Sequence, residues 1–364
     1  MMEALKRLYA SFRGFDEAGS AVPMMDGPLK PNTALDDAAV VLRIPGIDNL
    51  TAVPDGLVGS QGAGLLRLRA SGEALEATEA RSFSSEIACL AADASGTLAI
   101  GLDGQGIVIQ GGRHDGLQIK ALDGTILRSP SAALFLDPDT LIVANGSAEF
   151  TMADWKRDLM NRRSTGSVWR VTLGGDAKPL ARNLAFPYGL ALGVNGAILA
   201  SEAWRHRVVA LENGKAPRAV LSDLPAYPAR IAPAPAGHWL ALFAPRNQLI
   251  EFVLREEAYR RRMVATIDPA YWIAPALSSG ASFLEPIQGG ARKKLNMLKP
   301  WSPSWSYGLI VRCDAQMRPL ESFHSRADGA FHGVTSLVES GDALYAGAKG
   351  SGAVVRLQVQ GGRS

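Results

Sequence analysis

Asp48, Ser131 and Tyr188 occupy the same place in three copies of a recurring phrase, eight residues before the glycine or aspartate that ends it. The other copies put Ala88, Ala229 and Gly333 there, with Arg230 and His332 as immediate neighbours. If the phrases fold alike, a carboxylate, a hydroxyl, a phenol, a guanidinium and an imidazole meet around one axis. An arginine and a histidine facing a cleft suit a carboxylate, phosphate or enolate-like ligand, because both form charge-assisted hydrogen bonds. Asp48 would orient His332, or serve as a base once desolvated. These two are the candidate catalytic residues, and Ser131, Tyr188 and Arg230 are the candidate ligand-binding residues. Structural roles stand beside these: Asp48 and Arg230 as an ion pair closing the ring, Tyr188 as a plug, His332 as a support at a strand start.

The phrases themselves are Asp48–Gly56, Ala88–Gly96, Ser131–Asp139, Tyr188–Gly196, Ala229–Gly237 and Gly333–Gly341. Each reads as an apolar strand, an Asp/Asn/Gly turn and a second strand. A third strand follows in Gly64–Leu68, Ser167–Val171, Arg207–Leu211 and Ala353–Leu357. Apart from insertions the copies recur about every 40 residues, the signature of a propeller rather than a sandwich. The expected architecture is an all-β, six-bladed β-propeller with helical and loop insertions. It forms one domain over 41–364, after an N-terminal extension over 1–40.

Two insertions break the period. In the first, 149–165, Thr151 and Asp154 read as an N-cap pair, with Met152, Trp155 and Leu159 on one helical face. The second, 253–306, opens with a charged helix over Arg255–Met263 and then carries Tyr271, Trp272, Trp301 and Trp305. Its basic residues include Arg260, Arg261, Arg262, Lys293, Lys294 and Lys299. Long insertions of this kind are lids or binding surfaces. The choice is between a lid over the channel and an interface with a protein or a membrane surface. Leu5, Leu8, Tyr9 and Phe12 form an apolar face that would join such an interface.

Composition narrows the function classes. The chain has 364 residues, 47% hydrophobic, with a net charge of only +3, so nucleic acid is not an expected partner. The N-terminus lacks a signal-peptide core, and no apolar run is long enough for a transmembrane helix, so a cytoplasmic location is expected. Cys89 and Cys313 are too few for a disulfide framework and are expected reduced and buried. The five histidines show no metal-ligand spacing, Gly-x-Ser-x-Gly is absent, and Gly104-Gln-Gly106 opens no helix. Glu202 with Arg205, His206 and Arg207 reads as a blade-edge cluster.

Phe186–Leu192 followed by Ala200–Val208 resembles the middle signature of the strictosidine synthase-like and gluconolactonase superfamily. Phe150–Leu159 resembles the insertion helix of those proteins, Leu224–Pro228 their Leu-Pro-Gly-Tyr-Pro turn, and Phe331–Glu339 with Leu344–Gly347 their last blade. The resemblance runs, with gaps, from Ile44 to Leu357. It implies a divalent-cation site of one Glu, two Asn and one Asp, which fall here on Asp48, Ser131, Tyr188 and Ala229. One possible ligand among four implies that this chain has no metal site, and no cofactor is expected. The acid–base glutamate of the plant synthases falls at Gly333–Thr335, where no carboxylate stands, so alkaloid synthesis is not expected. The leading expectation is a metal-independent protein that binds or acts on a small, anionic molecule in the channel. If an enzyme, it would be a hydrolase of the lactonase or esterase kind. The alternatives are a non-catalytic interaction module using 253–306 and an atypical metal-dependent lactonase.

Overall fold

The computed structural model describes residues 22–280, 285, 292–294, 297–299 and 305–359. Six four-stranded antiparallel sheets stand around a common axis. In chain order, the first two strands of the blades are Ile47–Val53 and Gly56–Gln61, Ile87–Ala92 and Leu98–Leu102, Pro130–Asp137 and Thr140–Asn145, Pro187–Leu192 and Ile198–Glu202, Ala226–Ala234 and Gly237–Pro245, and Val334–Ser340 and Ala343–Ala348. Every recurring phrase therefore became the inner pair of one blade. These pairs are continuously apolar because neighbouring blades cover both faces: Leu98–Leu102 is buried at every position. The cores are accordingly between blades, where Trp169, Trp239, Ile107 and Val143 are almost wholly shielded.

Each first strand carries a register shift near its start. The shifts fall at Asp48/Thr51, Ile87/Cys89, Pro130/Ala132, Pro187/Gly189, Pro228/Ile231 and Val334/Ser336. A bulge adds an unpaired residue and re-aims its neighbours. Here it presents Asp48 and Asn49, Ala88, Ser131, Tyr188, Ala229 and Arg230, and Thr335 at matched places. In the last blade the ring residue is thus Thr335, two places beyond the Gly333 expected from the turn. Asn49 takes the left-handed conformation its bulge needs (φ 58), which asparagine tolerates well.

The sixth blade is completed from the other end of the chain. Ala39–Arg43 pairs antiparallel with Ala353–Gln358, so its sheet holds strands from both ends of the described chain. Just before it, Leu35 is fully buried, and Asn32 and Asp36 bond Ser322 and Ser325 on the outer strand of the fifth blade.

Because adjacent strands are antiparallel, connections between second and third strands return to the face where each first strand begins. Both insertions are such connections, so both stand over the ring of bulges. The first contains helix α1, Trp155–Asn161. Asp154 makes no capping bond; instead Asp103, from the second blade, accepts the backbone N–H groups of Met152 (2.6 Å) and Ala153 (3.1 Å). The second contains two helices, α2 over Gln248–Arg255 and α3 over Glu257–Thr266, where one was expected. Asn247 caps α2 through the Leu249 N–H, and the non-helical ψ of 82° at Glu256 breaks the run. Trp272 is buried beneath Arg157 of α1, whose guanidinium lies 5.3 Å from its ring, so the two insertions pack on each other. Trp301 and the apolar face of Leu5, Leu8, Tyr9 and Phe12 lie outside the described residues, as do the side chains of Lys293, Lys294 and Lys299. No helix among the described residues is long and apolar enough to cross a membrane.

Candidate functional site at the channel mouth

Asp48 is the centre of the ring. Its Oδ1 accepts from Arg230 Nη1 (3.0 Å), Thr335 Oγ1 (2.7 Å) and the Asn49 N–H (2.8 Å), and its Oδ2 accepts from Lys349 Nζ (3.1 Å). Burial alone would raise its pKa, but Arg230, Lys349 and these bonds outweigh it and hold the carboxyl well below the usual range. Arg230 reaches across from the fifth blade. Besides Asp48 it donates to the carbonyls of Thr335 (3.2 Å) and Ala88 (2.7 Å), tying four blades together. Its guanidinium lies 5.0 Å from the Tyr188 ring centre. Burial works against its charge, yet Asp48 keeps its pKa raised. Lys349 follows the second strand of the last blade. Asp48 raises its pKa despite burial, so the ammonium keeps its proton.

Above this floor is a cavity of about 140 Å³. Phe186, Tyr188, Trp204 and Phe243 wall it from the fourth and fifth blades, and Met152, Ala153, Trp155 and Leu277 come from the insertions. The aromatic walls brace one another: Phe186 stacks on Trp204 at 4.5 Å, and Trp155 meets Phe243 edge-on at 5.6 Å. Asp158 of α1 accepts from Trp204 Nε1 (2.6 Å) and fixes that indole. Leu277 seats its carbonyl against Gly333 and Gly350; a Cβ on Gly350 would lie 1.9 Å from that oxygen, so only glycine fits. Glu86 and Asp103 stand at the rim, the first exposed and the second engaged by the two N–H groups already described.

The structure brings Asp48, Tyr188 and Arg230 together and leaves two expected residues elsewhere. Ser131 is wholly buried and gives its hydroxyl to the Pro187 carbonyl (2.5 Å), with the Ala144 carbonyl at 3.3 Å, joining the third blade to the fourth. Ser201 does the same one blade on, donating to the Ala229 carbonyl at 2.7 Å. His332 faces away from Asp48: its Nδ1 meets Ser306 Oγ at 2.7 Å and its Nε2 meets the Arg326 carbonyl at 2.7 Å. The carbonyl can only accept, so Nε2 carries the proton and both ring nitrogens are committed. Lys349 was missed by sequence reasoning. The available signal was a lysine directly after the inner hairpin of the last blade, on the face where first strands begin. Cys89 lies beside Arg230, but burial pushes its thiol up to about 12, so it is no nucleophile.

A divalent cation does not fit these residues. Of the ring positions Asp48, Ser131, Tyr188 and Ala229, one is a carboxylate, and two resident cations and a hydroxyl already hold it. The Arg230 guanidinium fills the place between Asp48 and the carbonyls of Ala88 and Thr335 where oxygen ligands would have to converge. Among the described residues, no three His, Cys, Asp or Glu side chains cluster as metal ligands.

Comparison with solved structures agrees with this architecture. A gluconolactonase from Xanthomonas campestris superposes with a TM-score of 0.55 at 15% identity, over 94% of this chain and 98% of that one. The protein described as a putative gluconolactonase superposes with a TM-score of 0.52 at 11% identity, over 88% and 91%. The chain has the gluconolactonase propeller fold. No family model matches its sequence, and no curated protein sequence does. At these identities the likeness concerns the propeller alone, and the propeller's channel chemistry rests on its own residues.

Proposed function

We propose that the protein binds a small molecule in the channel-mouth cavity without a metal ion, and that the site serves recognition rather than acid–base turnover. The observation that carries this is the self-saturated floor of Asp48, Arg230 and Lys349 beneath aromatic walls. A general acid or base works best with a pKa near the operating pH. On this floor the shifts run the other way: Asp48 is held low, while Lys349 and Arg230 are held high. Burial raises the Tyr188 phenol as well, so it keeps its proton. What remains is a shaped apolar space with fixed charge at its base, the usual form of a ligand site.

Trp155 and Trp204 line the space, so occupancy should quench tryptophan emission. Titration with a neutral one-ring probe, benzyl alcohol, is expected to give a saturable quench that neither EDTA nor calcium alters. Calcium is likewise expected to leave the melting temperature unchanged, since a ligand that binds only the native state must raise it. A calcium-dependent rise that EDTA reverses would overturn metal independence, and absence of any saturable quench would overturn the cavity as a binding site.

A hydrolase reading keeps one observation. Asp103 lines the cavity, and its burial moves its pKa upward, toward the range of a useful base. Its oxygens are engaged by backbone N–H groups, which ranks this reading second. Turnover of a γ- or δ-lactone that disappears in Asp103→Asn would promote it.

A further inference from the structure

We infer that Lys349 makes the cavity selective for a carboxylate carried on a small apolar body. The inference rests on the binding site proposed above and names its ligand class.

An ammonium has three donors, and Lys349 spends one of them on Asp48 Oδ2 at 3.1 Å. Its side chain retains 36% of its exposure and lines the cavity, so the remaining donors address that space. The floor is also unbalanced: Asp48 contributes one negative charge, and Arg230 and Lys349 contribute two positive ones. Arg230 is turned to Asp48 and the two carbonyls beneath Tyr188, which leaves Lys349 as the cation that meets a ligand.

The rim carries the opposite sign, so its strength decides the outcome. Glu86 is exposed, where water and salt screen it. Asp103 accepts two backbone N–H groups, which disperse its charge. The surplus at the floor sits among buried groups against aromatic walls, where a charge acts more strongly than at the rim. A carboxylate there gains charge-assisted hydrogen bonds from Lys349. Size sets the body: a space of 140 Å³ is comparable with apolar cavities of about 150 Å³ that hold benzene.

Benzoate, benzyl alcohol and benzylamine present one ring with a negative, neutral and positive head. Calorimetry and tryptophan quenching on the full chain are expected to rank benzoate at least tenfold tighter than benzyl alcohol, with benzylamine weakest. In Lys349→Met the benzoate preference should collapse toward one, and Lys349→Arg should keep part of it. The wild-type ranking tests the inference even if a variant folds poorly. Equal binding of benzoate and benzyl alcohol would overturn it while leaving the cavity as a binding site. Tighter binding of benzylamine would assign selectivity to the acidic rim and also overturn it. Failure of all three probes would remove the binding site itself.

Discussion

Arg230 gives the channel mouth its character. Its side chain is 13% exposed and that of Asp48 5%, so each charge depends on the other. Removing one partner of a buried pair typically costs about 3–5 kcal/mol when the survivor is left uncompensated; here Lys349 still holds Asp48 and offsets part of that cost. Arg230→Ala is expected to lose stability toward the lower end of that scale in urea unfolding, and Asp48→Asn with Arg230→Met should recover part of it. Loss below about 1 kcal/mol in the single variant would show that water replaces the guanidinium. His324 supplies a second residue-scale test. It is fully buried, and burial lowers its pKa from 6.5 to about 4. Ser322 donates its hydroxyl to the Pro28 carbonyl, so His324 Nε2 donates to Ser322 Oγ, and Nδ1 accepts from Tyr307. A histidine pKa depressed by folding adds stability that is full above pH 6.5 and falls away as pH drops toward 4. The shift corresponds to roughly 3 kcal/mol at most. Stability should therefore decline between pH 6.5 and 4, and His324→Gln should flatten that limb; an unchanged slope would locate the acid response elsewhere. Asp48, Arg230 and Tyr188 were legible because their turn spacing marks the inner strand. His332 was misassigned to the ring because the last phrase is offset by two residues, and Lys349 was missed because it belongs to a connection outside any phrase.

At the scale of elements, the insertions convert a ring of bulges into an enclosed site. Asp103 anchors the first of them by accepting the Met152 and Ala153 N–H groups, a bond pair between the second blade and the approach to α1. Asp103→Ala is expected to loosen this segment by roughly 1–3 kcal/mol, the scale of charged hydrogen bonds. Faster tryptic cleavage at Arg157, Arg162 or Arg163 and faster amide exchange over 152–158 would report it, with global melting little changed. Protection equal to the wild type would show that Trp155 packing alone holds the segment. Asp154, expected to cap α1, makes no side-chain capping bond; Asp103 of another blade holds the turn before the helix, which local spacing does not reveal. The helix expected over 255–263 formed as α3, and sequence reasoning missed α2 before it; Glu256, an ordinary helix former, separates the two with its non-helical ψ of 82°. Among the described residues, Trp272 is buried, whereas Phe252, Tyr259, Ile267 and Tyr271 are exposed on the same insertion. They bear on the interface reading; among the described residues beside them, Arg261 is paired with Glu257.

For the whole molecule, the inner strands of all six blades could be read from the sequence because their apolar phrases repeat. The outer strands could not. Ala74–Ser82 is mostly exposed and polar, and Gln118–Ile119 is only two residues long. The least legible strand was Ala39–Arg43, which straddles the expected start of the domain and completes the sixth blade. Removing the chain through Arg43 would bare the hydrogen-bonding edge of Ala353–Gln358, a template for association. Such a truncation is expected to form oligomers on size-exclusion chromatography and to lose a single cooperative melt. A monomer with the wild-type transition would show that the strand is dispensable.

The pairing of Ala39 with Arg356 also sets a timetable. At usual synthesis rates of about 5–20 residues per second, roughly 15–60 s separate the emergence of these two strands from the ribosome. Throughout that interval the earliest described strand has no partner, although Leu35 gains the fifth blade once Pro319–Ser325 is made. Closure must therefore follow synthesis of the last blade, and such long-range pairing is slow by its nature. Refolding should end in a late phase that reports the docking of this strand, and fusing it in sequence beside its partner should shorten that phase.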